Sequence, residues 1–146
     1  MQLSAHLSTG VILSVAAMAF GAEPEAAFFL IIGALGPDID FFLVKGNHRK
    51  AVTHMPVTWA FAIIPAFFSI HAAMFVIGIF SHLALDALDW GIHMHPKSRK
   101  YGGLLKVKKD FTKAEHFIEH YMRDWRFLSA EIILAAASIF MVLVFL

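Results

Sequence analysis

Apolar residues along this chain gather into long segments that shorter polar stretches separate. A helix needs about 20 predominantly apolar residues to cross the hydrocarbon core of a bilayer. Segments near that length occupy residues 3–20, 55–70, 72–90 and 127–146. The pattern therefore predicts four membrane-embedded helices.

A fifth apolar segment, residues 24–35, is shorter. Pro24 and Glu25 suit the first turn of a helix, where proline has no N–H to lose and a carboxylate meets the positive helix end. Gly36-Pro37 should end this helix. About 12 residues at 1.5 Å each give roughly 18 Å, which is short of a full crossing. The predicted fold class is all-α: a polytopic helical membrane protein with four to five membrane-embedded helices.

The polar stretch before the last segment ends in an amphipathic pattern. Thr112 and Glu115 have the spacing of a helix capping box. Apolar residues recur there at helical intervals: Phe111, Ala114, Ile118, Tyr121 and Trp125. We expect an additional helix that lies on the bilayer surface. The length gives no reason to divide the chain, so residues 1–146 are interpreted as a single domain.

Composition and charge placement support a membrane location. Hydrophobic residues make up 59% of the chain and charged residues 16%. All twelve Lys and Arg lie within residues 45–50 and 97–126, beside apolar segments, which indicates membrane orientation and not a nucleic-acid surface. The positive-inside rule places the N-terminus and the basic loops on the cytoplasmic side of the cell membrane. The first basic residue is Lys45, so the N-terminal segment lacks the charged start of a signal peptide.

Titratable residues interrupt the apolar segments. Such side chains are costly at membrane depth unless they are paired, solvated or metal-bound. His82 and Asp86 are four residues apart, which places them on one helical face. If the predicted helices cross the membrane in alternating directions, residues from three other segments lie at a similar depth, near the basic side: His6, Asp38, Asp40, His48 and His54. We therefore predict that these side chains converge.

Imidazole and carboxylate ligands together suit a divalent transition metal. The chain has no cysteine, so thiolate sites are excluded. Zinc is the first choice, with manganese or iron as alternatives, and the donors suffice for one or two ions. Each residue also has a plainer interpretation when taken singly: an interfacial histidine (His6), a hydrogen-bonded pair (His82 and Asp86), a helix cap (Asp38 and Asp40) or a loop histidine (His48).

Four motifs occur in a recognisable order. They are H-x-x-x-G at residues 6–10, P-D-I-D at 37–40, H-R…T-H at 48–54, and G-x-x-S-H-x-x-x-D at 78–86 followed by Gly91. Together they resemble the YdjM-type family of inner-membrane metal-dependent hydrolases over residues 1–91. The resemblance implies six metal-associated positions, with Arg49 and Thr53 in support: His6, Asp38, Asp40, His54, His82 and Asp86.

The chain departs from the family pattern in two places. The family usually has leucine before P-D-I-D and often histidine after it, where this chain has Gly36 and Phe41. The stretch HRKAVTH also has one residue more between its histidines than the family pattern.

The resemblance implies metal-dependent hydrolysis, in which the metal lowers the pKa of a bound water towards neutrality. An aspartate that is not fully used as a ligand would act as base. We assign catalysis to Asp40 and His48. Arg49, Lys50 and Thr53, together with the basic stretch 97–113, are predicted to bind an anionic headgroup. The predicted substrate is therefore a membrane phospholipid or another lipid phosphoester.

Two other functions compete with hydrolysis. One is transport of a divalent cation, since intramembrane His and Asp also mark ion pathways. The other is a small membrane protein whose metal is only structural. The stretch HFIEH, with His116 and His120, has the inverted zinc-peptidase order but fits the solvated face of the amphipathic helix better. His93 and His95 are interpreted as a flexible loop end.

Overall fold

The computed structural model describes residues 3–39, 52–89, 91–103 and 125–145, which are mostly helical. Six α-helices occur there: α1 (Leu3–Ala19), α2 (Pro24–Leu35), α3 (Pro56–Trp59), α4 (Ile63–Ala66), α5 (Ile70–Asp89) and α6 (Trp125–Phe145). Three 3-10 turns join them: Gly36–Ile39, Val52–His54 and Ala60–Ala62. The all-α prediction lacked one small feature, an antiparallel pair of strands: β1 (Ile92–His93) and β2 (Lys100–Tyr101).

Two of these helices are long and apolar enough to cross a membrane. The qualifying stretches are Ile70–Leu88 in α5 and Leu128–Phe145 in α6. Large apolar side chains on α6 are mostly exposed, for example Ile133 at 66% and Leu143 at 78%. α1 is apolar as well, but with 17 residues it is shorter than a full span.

Helix α2 has the predicted bounds. It begins at Pro24 and ends at Leu35, immediately before Gly36-Pro37. Pro37 has no N–H, so the backbone cannot continue the α-helical ladder and tightens into the 3-10 turn Gly36–Ile39. The sequence thus correctly located both ends of this helix.

The segment predicted as a continuous helix over residues 55–70 differs in the structure. It consists of α3, a 3-10 turn and α4, followed by a turn at Phe67 and Phe68. Pro65 has no N–H to donate to the carbonyl of Phe61, so a regular helix cannot pass through this point. The prediction therefore located this apolar segment correctly, but the segment is not one continuous helix.

Helices α2 and α5 cross with their backbones in direct contact at two glycines. A Cβ on Gly78 would lie 2.9 Å from the Cα of Gly33, which is closer than real Cβ atoms approach. Small residues allow this approach, as they do in helix packing within membranes. α1 packs on α2, where Ser14 Oγ donates to the carbonyl of Ala27 at 2.6 Å. The hydroxyl of Ser4 bonds Glu131 and connects α1 to α6.

The hairpin formed by residues 91–103 closes the C-terminal end of α5. Gly91 N–H donates to Asp86 O at 2.8 Å, and Gly103 N–H donates to Ala87 O at 2.6 Å. Gly91 has a φ of 78°, the left-handed conformation that often follows a helix end. Val57 N–H also reaches Met94 O at 3.4 Å, so the hairpin connects α5 with α3.

We predict that Gly33→Ala destabilises the fold by about 1–3 kcal/mol or more, because the added methyl group would collide with the backbone of α5. Gly36→Ala is a matched control on the same chain segment. There the new Cβ would be 3.9 Å from the nearest atom, a side-chain carbon of Phe75. Denaturant unfolding in detergent measures both effects. Equal midpoints for the two variants would contradict the proposed close crossing.

Candidate metal centre

Five of the predicted metal positions lie together in one buried cluster. They come from α1, the two 3-10 turns before α3, and α5, and they are 0–9% exposed: His6, Asp38, His54, His82 and Asp86. Burial of ionisable groups without partners is unfavourable, so these five side chains have to be stabilised by interactions within the cluster. The predicted convergence is confirmed for these five residues.

Helix α5 contributes two side chains from one face. His82 and Asp86 are one turn apart, and His82 Nε2 lies 3.5 Å from Asp86 Oδ2. Ile79 and Leu83 are also buried, at 0% and 2% exposure, and fix this face against the neighbouring helices. The pair therefore points into the protein and not towards its surroundings.

The orientation of His82 is set by the end of α2. Its Nδ1 lies 2.7 Å from the carbonyl oxygen of Ala34, and since a carbonyl only accepts, Nδ1 carries the proton. Pro37 cannot donate to the carbonyls of Gly33 or Ala34, as a residue with an N–H would in a helical turn. With the proton on Nδ1, the lone pair of a neutral His82 imidazole would be on Nε2, which faces the cluster.

His54 and Asp38 form the other half of the cluster. His54 Nε2 lies 3.3 Å from Asp38 Oδ1 and 3.4 Å from His82 Nε2. On the far side of the ring, His54 Nδ1 is 3.3 Å from the Thr53 hydroxyl. That hydroxyl can accept from Nδ1–H, and the Nε2 lone pair then also faces the cluster.

The inward-facing atoms have separations that suit a metal site. The triangle of Asp38 Oδ1, His54 Nε2 and His82 Nε2 has sides of 3.3, 3.4 and 3.7 Å. A second triangle replaces Asp38 with Asp86 Oδ2 and has sides of 3.4, 3.5 and 3.6 Å. Four-coordinate zinc, about 2.0–2.2 Å from its N and O ligands, requires ligand separations of roughly 3.3–3.6 Å. Each triangle therefore has about the size of one face of such a site.

His6 adjoins the cluster from α1. Its Nε2 lies 3.3 Å from Asp86 Oδ1, the carboxylate oxygen on the side away from the triangles. The imidazole stacks on that of His82, with ring centroids 3.6 Å apart and planes 16° from parallel. Both oxygens of Asp86 thus face imidazole nitrogens.

Some predicted site residues have other positions. Thr53 was predicted to bind substrate, but its hydroxyl lies against the His54 ring and its carbonyl accepts from Trp59 Nε1 at 2.7 Å. Sequence reasoning missed the role of Trp59, which carries no motif signal. The following predicted residues lie outside the described part of the chain: Asp40, His48, Arg49, Lys50, His116 and His120.

The hairpin histidines do not join the cluster. His93 Nδ1 donates to the carbonyl of Ser98 at 3.0 Å, and His95 Nδ1 accepts from Lys97 N–H at 3.3 Å. Both bonds are made within the hairpin itself.

Comparisons of the chain with protein-family models, with curated proteins and with solved structures find no match.

We predict that Pro37→Ala weakens binding of a divalent ion by about 10–100-fold, the usual cost of a lost outer-shell partner. The new N–H would compete with His82 for the carbonyl at the end of α2. Competition with a fluorescent chelator measures the dissociation constant. Pro65→Ala, which removes an exposed proline from α4, is the control and should bind as the wild type does. An unchanged constant in Pro37→Ala would contradict this role of the carbonyl.

Proposed function

We propose that the protein is a multi-pass membrane enzyme that binds a divalent transition metal in the His/Asp cluster and hydrolyses a lipid phosphoester. Zinc fits the donor set best, with manganese and iron as alternatives. The proposal rests on the metal assignment. The proposed reaction depends on the metal, and the proposed substrate depends on the reaction. The resemblance to YdjM-type hydrolases remains an expectation from the sequence.

The observation behind the metal assignment is the balance of charge and lone pairs in the cluster. Two carboxylates and the inward-facing imidazole nitrogens approach each other within 3.3–3.7 Å while almost fully buried. When the imidazoles are neutral, the inward atoms are all acceptors, which repel each other at these distances. A divalent cation between them offsets both the repulsion and the double negative charge.

The membrane assignment is supported by exposed apolar surface. Phe20, Phe67 and Phe68 are 82–93% exposed, and α6 presents a row of exposed aliphatic side chains. Apolar patches of this extent are unfavourable in water and favourable against lipid tails. Together with the two helices of spanning length, they support a membrane location. Four or five embedded helices, with the basic segments cytoplasmic by the positive-inside rule, are part of the proposal.

The reaction we propose is attack of a water oxygen on phosphorus, with cleavage of the bond from phosphorus to the lipid oxygen. The proton of that water passes to a carboxylate, and the leaving alcohol is protonated in turn. A metal held by the His/Asp cluster would lower the pKa of a bound water and would provide positive charge for the phosphoryl oxygens. Asp38 has the most accessible side chain of the five, at 12% exposure, so substrate would approach from its side.

The substrate class rests on charge near the site. Lys97 and Arg99 are exposed on the hairpin that closes α5 just beyond Asp86. Cations at the end of a membrane span attract anionic lipid headgroups. This placement supports a lipid phosphoester as substrate.

A transport function has weaker support. The cluster uses the beginning of α1 and the end of α5, so it lies towards one end of these helices. Near the opposite end, a pocket of about 490 Å³ is lined mainly by apolar residues, including Ala17, Phe20 and Met74. Ligands at one end favour a site with one opening over a path that crosses the membrane.

We predict that detergent-purified protein contains one or two equivalents of transition metal and that His82→Ala and Asp38→Ala lose it while remaining monodisperse. His71→Ala, at the other end of α5, should keep the metal. Mass spectrometry gives the content, and a screen of phospholipid phosphoesters tests the activity. Absence of metal after reconstitution with Zn²⁺ and Mn²⁺ would exclude the proposal. Metal-driven flux into liposomes without hydrolysis would favour transport instead.

The orientation can be tested with single cysteines, because the chain has none of its own. We expect Lys97→Cys to react with a membrane-impermeant maleimide only from the cytoplasmic side. Glu23→Cys, in the turn between α1 and α2, should react only from the opposite side. Labelling of both variants from one side would contradict the proposed topology.

A further inference from the structure

We propose that the cluster binds two cations, with the Asp86 carboxylate bridging them and His6 as a ligand of the second ion. This inference rests on the proposed metal function and extends it. It is based on the observation that the two carboxylate oxygens of Asp86 face different partners. Oδ2 lies 3.5 Å from His82 Nε2 and 3.6 Å from His54 Nε2, whereas Oδ1 lies 3.3 Å from His6 Nε2.

His82 can serve only one ion. Among the described residues, two three-residue groups have metal-binding dimensions, and both include His82. One is Asp38 with His54 and His82, and the other is His6 with His82 and Asp86. Its Nδ1 proton is committed to Ala34 O, so a single lone pair on Nε2 remains. Asp86 has two oxygens and can contribute to both groups. The shared ligand is therefore the carboxylate.

The burial of His6 supports a ligand role. The side chain is 1% exposed, and its Nδ1 has no hydrogen-bond partner among the described residues. A buried polar atom without a partner is unfavourable, so a histidine here needs a compensating interaction at its other nitrogen. That nitrogen, Nε2, lies at the long distance of 3.3 Å from a carboxylate oxygen of Asp86. A cation between the two atoms would provide a stronger interaction than this contact does.

The two sites would differ in affinity. The first has Asp38, His54, His82 and one oxygen of Asp86 within reach. From the described residues the second has only His6 and the other oxygen of Asp86. Fewer protein ligands leave more positions for water or for substrate oxygens. The second ion would thus bind more weakly and contact the phosphoryl group, as in known two-metal hydrolytic sites about 3.5–4 Å across.

The test is a calorimetric titration of metal-free protein with Mn²⁺ in detergent. It is carried out on the wild type, on His6→Gln and on His71→Gln. We expect two steps in the wild type and in His71→Gln, and loss of the weaker step in His6→Gln with the tighter step retained. A single step in the wild type would overturn this inference and leave the proposed function intact. Two steps in His6→Gln would overturn the assignment of His6. No step in any of them would overturn the proposed function together with this inference.

A second measurement does not depend on the folding of a variant. Electron paramagnetic resonance of wild-type protein loaded with two equivalents of Mn²⁺ should show an exchange-coupled pair, since one carboxylate bridges both ions. A spectrum of isolated Mn²⁺ only would overturn the bridge.

Discussion

The contact on which the site depends is the close crossing of α2 and α5 at Gly33 and Gly78. Because neither residue has a side chain, the two backbones meet directly. Ala34 follows Gly33, and His82 lies one turn after Gly78, so the crossing places the carbonyl of one helix against the imidazole of the other at 2.7 Å. Asp86 follows His82 by one more turn and shares its face. A wider crossing would separate these groups and remove the proton from its fixed position on Nδ1.

The remaining ligands reach this crossing through irregular backbone. Asp38 and His54 belong to 3-10 turns and not to α-helices. Irregular backbone is tolerated inside a protein where its polar groups are hydrogen-bonded, and here Trp59 Nε1 donates to the carbonyl of Thr53, next to His54. The cluster thus combines three side chains on helices, His6, His82 and Asp86, with two on 3-10 turns. Binding of metal would add stability to these turns, because the ligands come from separate segments.

The sequence predicted the parts of the structure that local rules determine. Residues 24–35 form a helix with the expected ends because proline and glycine act within one or two residues of their own position. The spacing of His82 and Asp86 is likewise local. The segment 55–70 was predicted wrongly because apolar length was given more weight than Pro65. The acceptor for His82 could not be predicted, since it is a backbone carbonyl 48 residues away and a carbonyl carries no sequence signal. The same applies to Trp59, whose partner is also a main-chain oxygen.

Pro37 affects both the nitrogen of His82 that carries the proton and the position of Asp38. By lacking an N–H it leaves a carbonyl near the end of α2 available to His82, and this fixes which imidazole nitrogen faces the cluster. By ending the α-helix it also turns the next residue, Asp38, inward to within 3.3 Å of His54. In an uninterrupted α-helix, residue 38 would be rotated by about 100° from residue 37, and the carbonyl of Ala34 would accept a hydrogen bond from the backbone of the same helix. That carbonyl would then not be available to His82. One residue without an N–H therefore prepares one ligand and positions another, which explains how a helix too short to span a bilayer can contribute to a buried polar site.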